Sequence, residues 1–148
     1  QVFTAEKPNQ KWCTDFTYLF LKNHEVRYNC TILDLYDRSV IASIMDWNIT
    51  SDLAIRTLKK ALASQVSVKD GPIMHSDQGT QYTSKTFTEF CKTVNVAQRL
   101  SVWQCADGAI LQHIEKWVYK LLRICNGIST LSDRRRIRIC WLQSCATP

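Results

Sequence analysis

The sequence predicts an α/β domain, a mixed five-stranded sheet with helices against its faces. Three observations carry this reading. Aromatic and β-branched runs separated by short polar breaks fill the stretch from Trp12 to Trp47. The hydrophobic period then changes to that of a helix. From there strand-like and helix-like segments alternate, in the order β-β-β-α-β-α-β with one more helix to follow, which suits a mixed sheet flanked by helices.

The elements follow in order. Gln1 to Lys11 is polar and extended, with a turn signal at Pro8-Asn9. Trp12 to Leu21 reads as the first strand, with Asp15 facing one side among apolar neighbours. The polar break Lys22-Asn23-His24-Glu25 returns the chain into a second strand, Val26 to Leu35. Asp37-Arg38-Ser39 turns it again into a third, Val40 to Trp47, so an antiparallel meander is expected. Thr50, Ser51 and Asp52 are N-cap candidates for a helix whose stripe is Ile55, Leu58, Leu62 and Val66, with Arg56, Lys59 and Lys60 turned away. The short apolar run Gly71-Pro72-Ile73-Met74 makes a fourth strand. A helix led by Ser84 carries Phe87, Phe90, Cys91 and Val94, and a short fifth strand lies around Val96 to Val102.

Between the fourth strand and that helix runs His75-Ser76-Asp77-Gln78-Gly79-Thr80-Gln81-Tyr82-Thr83-Ser84. Asp77 falls where a strand ends, and its carboxylate is a hard oxygen ligand of the kind Mg²⁺ takes. Gly79 lets the backbone turn tightly and lets a substrate approach. Gln78, Thr80, Gln81, Tyr82 and Thr83 add donors and acceptors suited to phosphate or a base edge. From composition alone the plainer reading, a polar strand-to-helix loop, comes first.

At 148 residues with 45% hydrophobic and 22% charged residues, the chain is expected to be one soluble globular domain with a sizeable core. No apolar run is long enough to span a bilayer, which argues against a membrane partner. No charged-then-apolar leader opens the sequence, so a cytoplasmic location is expected. The seven cysteines contain no Cys-x-x-Cys pair, and Cys13, Cys30, Cys91 and Cys125 fall inside apolar patterns; no metal and no disulfide is assigned to them. The net charge of +6 is concentrated late: through Gln98 there are 11 basic against 10 acidic residues, and from Arg99 onward 8 against 3. That excess fits a phosphate-contacting surface, although for the tail alone a solvated face is the first reading.

The stretch from His75 to Ser84 resembles the second-aspartate motif of insertion-sequence transposases, which share the retroviral integrase core. A second segment, Pro8 to Ala42, resembles the first part of that core, with Trp12, Thr14, Asp15, Thr17 and Tyr18 matching the strand that supplies the first aspartate. The two motifs stand in the right order, about sixty residues apart, and the resemblance covers roughly Val2 to Val96. It implies a ribonuclease H-like fold and a DDE-type enzyme that cuts and joins DNA, with Asp15 and Asp77 holding Mg²⁺ or Mn²⁺. The implied partner is DNA, with no small-molecule substrate and with action as a homo-oligomer. Two metals would clamp an in-line phosphoryl displacement. In the family a helix-turn-helix reader precedes this position, and none is seen in this sequence.

The third ligand departs from the pattern. The family carries Asp-Asn-Ala-x-x-Glu with 35 residues between the glutamate and the second aspartate; here the run is Asp107-Gly108-Ala109-Ile110-Leu111-Gln112. Gln112 holds the motif position with 34 residues intervening, spacing alone leads to His113, and the nearest carboxylate is Glu115 with 37. On a helix whose apolar stripe is Ile110, Ile114, Trp117, Val118, Leu121 and Cys125, Gln112 lies near the middle of the opposite face and Glu115 about 60° toward its flank. Glu115 is thus either a displaced third ligand or, as the plainer reading has it, a solvent-exposed helical residue. Lys116, Lys120 and Arg123 are candidate phosphate contacts.

Past Arg123 the match is lost. A partial catalytic core over residues 1–125 and a basic tail over 126–148 are expected, the tail reading as the end of a damaged frame. Two functions stay open: a metal-dependent transposase core with impaired strand cleavage and transfer, or an inactive remnant that binds nucleic acid without sequence preference.

Overall fold

The computed structural model describes residues 4–20, 25–65, 71–100 and Lys116. Its elements are β1 (Lys11–Phe20), β2 (Val26–Asp34), β3 (Val40–Asp46), α1 (Ser51–Ser64), β4 (Ile73–Ser76), a single turn α2 (Thr80–Thr83), α3 (Lys85–Thr93) and β5 (Ala97–Leu100). The five strands form one sheet in the order β3-β2-β1-β4-β5. The first three pair antiparallel as the expected meander, while β4 joins β1 and β5 joins β4 in parallel. The result is a mixed sheet with helices, a ribonuclease H-like fold.

Alternation along the strands divides the sheet into two faces. Trp12, Phe16, Cys30, Ile32, Ala42 and Met74 pack with Leu53, Ala54, Leu58 and Ala61 of α1, Tyr82 of α2, and Phe87 and Cys91 of α3 in one core. The opposite face carries Cys13, Asp15 and Thr17 of β1 and their register partners Leu33, Thr31 and Asn29 of β2. Asp15 therefore stands on the face away from the helix-packed core.

Thr50 is the N-cap of α1, its hydroxyl accepting from the Leu53 N–H at 3.1 Å. The buried side of this helix is Leu53, Ala54, Thr57, Leu58 and Ala61. The expected stripe shares only Leu58 with it; Ile55 and Leu62 are partly buried at its margin, and Val66 lies outside the described residues. Large residues drew that stripe, whereas the buried side also takes the small side chains Ala54 and Ala61 and the polar Thr57. In α3 the expected residues do face inward: Phe87 and Cys91 are buried and Phe90 and Val94 pack beside them. Ser84 caps it by accepting from the Phe87 N–H.

Two irregular residues hold the register that matters for Asp77. Asn9, at φ 60°, donates its backbone N–H to Asp34 Oδ2 at 2.7 Å and its Nδ2 to Gln65 Oε1 at 3.0 Å, and accepts from Trp12 Nε1. It ties the entry of β1 to the end of β2 and the end of α1. Gly71 sits at φ +63°, and a Cβ there would lie 1.7 Å from the Asn95 carbonyl oxygen. Only glycine fits this approach, which lets β4 start beside β5.

Candidate functional site

The parallel register of β1 with β4 sets Cys13 opposite His75. Two residues further along each chain come Asp15, still within β1, and Asp77, just past the end of β4. A two-residue step keeps a side chain on its face, so both carboxylates belong to the same side of adjacent strands. Segments sixty residues apart in sequence meet here because β4 inserts directly beside β1.

Each carboxylate is held by a local backbone donor. The Phe16 N–H donates to Asp15 Oδ1 at 2.8 Å, and the Gly79 N–H donates to Asp77 Oδ1 at 3.1 Å. Burial pushes Asp15 up to about 8, the Phe16 N–H pulls against that rise, and the charge of Asp77 adds to it. Asp77 is also raised by burial, with the Gly79 N–H opposing. Low-dielectric surroundings and a like charge both disfavour ionisation.

The turn after Asp77 is shaped around its carboxylate. A Cβ on Gly79 would lie 3.0 Å from Asp77 Oδ1, 3.0 Å from Gln81 Oε1 and 3.4 Å from Asp77 Oδ2. Tyr82 then anchors the turn: it is fully buried between Phe16 and Phe87, with ring centroids 5.1 and 5.4 Å away, and its hydroxyl lies 3.1 Å from Thr14 Oγ1. Its carbonyl accepts from Gln98 Nε2 at 2.8 Å, joining the turn to β5. Burial raises the Tyr82 phenol well above its ordinary value, so it serves as a neutral strut. His75 is buried, and burial together with Lys11 and Arg99 lowers its pKa, favouring the neutral ring.

The integrase core domain family matches residues 5–104 of the sequence. The chain belongs to this family. Its likeness to known relatives agrees: transposase InsF for insertion sequence IS3A of Escherichia coli is 34% identical over 113 residues, covering 76% of this chain and 38% of InsF. The putative transposase InsK for insertion sequence element IS150 of the same organism is 29% identical over 111 residues, covering 74% of this chain and 38% of InsK. The chain thus spans about 38% of the length of these curated relatives. Among solved structures, the simian T-cell lymphotropic virus intasome superposes with a TM-score of 0.70 at 19% identity, over 90% of this chain and 48% of that one. The HTLV-2 integrase catalytic core domain in complex with magnesium, in its dimeric form, gives 0.64 at 19% identity, over 87% and 81%.

Within this integrase core the structure brings Asp15 and Asp77 together from β1 and the β4–α2 turn. Gln112, Glu115, Lys120 and Arg123 lie outside the described residues, as does Cys125. Lys116 is helical and exposed. Cys13, Cys30 and Cys91 are buried free thiols, as the apolar patterns around them imply. Among the described residues no third His, Cys, Asp or Glu joins the two aspartates, and no helix is long and apolar enough to cross a membrane.

The residues present suit a divalent cation. Two half-buried carboxylates raised by desolvation, one of them also by the other's charge, would be relieved by a cation between them, since an opposite charge favours ionisation. The hard oxygen donors match Mg²⁺ or Mn²⁺ rather than a soft metal. Sequence reasoning marked both aspartates and Gly79 but missed the strut from Tyr82 to Thr14. The tyrosine follows Gln81 in a polar run, and nothing in one-dimensional periodicity says that a one-turn helix will bury it.

Proposed function

We propose that this chain is the catalytic core of a DNA-transposing enzyme, in which Asp15 and Asp77 hold Mg²⁺ or Mn²⁺ and DNA is the substrate. The observation that carries the reading is the β1–β4 register of an integrase core, which sets Asp15 beside the end of β4, where Asp77 follows. The names of the insertion-sequence relatives and the magnesium complex of the HTLV-2 core support it. A bound divalent pair would supply a Lewis acid for the phosphoryl oxygen and an activated water or hydroxyl for in-line attack. The protein's part is to hold two carboxylates oriented: the Phe16 and Gly79 N–H groups each fix one oxygen, leaving the others for the cation, whose charge would favour their ionised form. Gln78 and Thr80 flank the turn as exposed polar side chains suited to the phosphodiester. Lys116, Lys120 and Arg123 are assigned to DNA phosphates through non-specific charge, and assembly as a homo-oligomer accords with the dimeric HTLV-2 core.

In the motif register Gln112 replaces the family glutamate, so strand cleavage and transfer are expected to be impaired, with Glu115 the remaining candidate. A neutral amide binds a hard dication less strongly than a carboxylate. Calorimetric titration with Mn²⁺ and Mg²⁺ tests the reading. Saturable binding lost in Asp77→Asn is expected, with Gln112→Glu tightening it and restoring DNA cleavage. Binding unchanged by Asp77→Asn would sink the proposed site. If Glu115→Gln abolishes binding while Gln112→Glu does nothing, Glu115 is the third ligand.

A further inference from the structure

The sheet row next to the two aspartates is basic. Cys13 of β1 is the register partner of His75 of β4, and His75 is that of Arg99 of β5. Side chains alternate along a strand, so this row stands on the face of Asp15, one two-residue step or about 6.6 Å ahead of Asp15 and Asp77. Lys11 lies a further step back on β1. The charges of Lys11 and Arg99 both act on the His75 ring, and that of Arg38, from the turn between β2 and β3, acts on Cys13. Three cations thus gather around one pair of buried residues.

Carboxylates do not match this charge. The ion pairs of the described residues join Arg27 to Glu25, Arg56 to Asp46 and Asp52, and Lys85 to Glu89; among the described residues Arg38 and Arg99 form none. Asp34, which opens the turn carrying Arg38, accepts instead from the Asn9 and Tyr36 N–H groups. Arg38 Nη1 is left buried with no hydrogen-bond partner, although the residue as a whole is partly exposed. An unpaired buried donor on a charged group is costly, and an acceptor brought from outside would remove that cost. Arg99 is exposed, so its fork of donors faces solvent. Lys11 is half-buried and tethered, its Nζ donating to the Thr4 carbonyl oxygen at 2.9 Å.

We propose that Arg99, Lys11 and Arg38 form a phosphate-binding strip beside the aspartate pair, which takes the DNA backbone next to the phosphodiester that Asp15 and Asp77 address. The proposal rests on the reading of DNA as the substrate. Two carboxylates repel a polyanionic backbone; a cation offsets that at the reacting phosphate, and the strip offsets it at the neighbouring one. Arginine suits the task, since its planar fork meets two phosphate oxygens at once. A charged residue on a strand that ends a sheet also guards against edge-to-edge pairing, and β5 is such a strand. That accounts for Arg99 alone and leaves the unpaired donor of Arg38 unexplained.

The test measures binding of a short DNA duplex over a range of salt concentrations in metal-free buffer, so that the cation site plays no part. Each phosphate neutralised contributes about 0.9 to the slope of log affinity against log salt. Arg99→Gln and Arg38→Gln should each lower the slope by about that amount, and Arg99→Lys should keep it. Lys59→Gln removes the same charge from α1, which packs on the other side of the sheet, and should leave the slope in place. If Arg99→Gln changes the slope no more than Lys59→Gln does, the strip is overturned while DNA stands as the substrate. Should Arg38→Gln not fold, Arg99→Gln decides in the same way. A wild-type chain that binds no duplex would defeat the DNA reading, and inorganic phosphate then decides the strip. Arg38 and Arg99 Nε–H resonances that move on phosphate titration more than that of Arg56 would keep it as an anion site, and unmoved resonances would overturn it.

Discussion

Asp15 is an acid whose folded pKa, about 8, stands well above its ordinary value of 3.8. Between those values the folded chain keeps a proton that the unfolded chain has released. Stability in metal-free buffer must then fall as pH rises from about 4 to about 8, because the native state binds more protons across that window. Asp15→Asn carries no such slope. The variant should match the wild type near pH 4 and become the more stable of the two by pH 8. The difference should reach several kcal/mol, since each pH unit across that window contributes about 1.4 kcal/mol. Thermal denaturation at several pH values reads it directly, and parallel pH profiles would show that Asp15 ionises freely.

At the scale of elements, the two glycines around β4 do different work. Gly79 has φ −56°, a value any residue adopts, so alanine there leaves the backbone intact and crowds only the Asp77 and Gln81 side-chain oxygens. Gly71 has φ +63° and faces a backbone carbonyl that cannot rotate away. Gly71→Ala should therefore cost well over the roughly 1–2 kcal/mol of a left-handed residue and loosen β4 from β5. Gly79→Ala should shift the melting temperature little yet weaken Mn²⁺ binding. Equal loss of stability in both would mean that Gly79 is a fold residue, not a site residue.

The same elements show what was legible beforehand. The meander, the Thr50 and Ser84 caps and the inward face of α3 were readable because each is written in neighbouring residues, as a period or a capping hydroxyl. The motifs marked Asp15 and Asp77, and the β1–β4 register sets their segments side by side. The buried side of α1 was not readable, because Ala54, Thr57 and Ala61, small or polar, are buried while the larger Ile55 and Leu62 that hydropathy marks are only partly so. Nor was the polar row behind Asp15: Thr17, Asn29 and Thr31 look like ordinary strand residues until the register sets them beside one another.

For the whole molecule, the sheet order brings two distant segments side by side, and the charge of Asp77 then acts on Asp15. Without metal the charge of Asp77 raises the Asp15 pKa, so Asp77→Asn should shift the pH slope of stability to lower pH. With metal the sign reverses. A cation that binds only the folded chain stabilises it by RT ln(1 + [L]/Kd), about 2.7 kcal/mol at a hundredfold excess over Kd. Both carboxylates are proposed to hold that cation, so either single Asn substitution should remove most of this gain and the double substitution little more. Groups that share one ligand are non-additive in a double-mutant cycle. Melting temperatures of the four proteins with and without Mn²⁺ complete the cycle. Additive losses in metal would mean that β1 and β4 each carry an independent carboxylate, and that their adjacency in the sheet does not make a shared site.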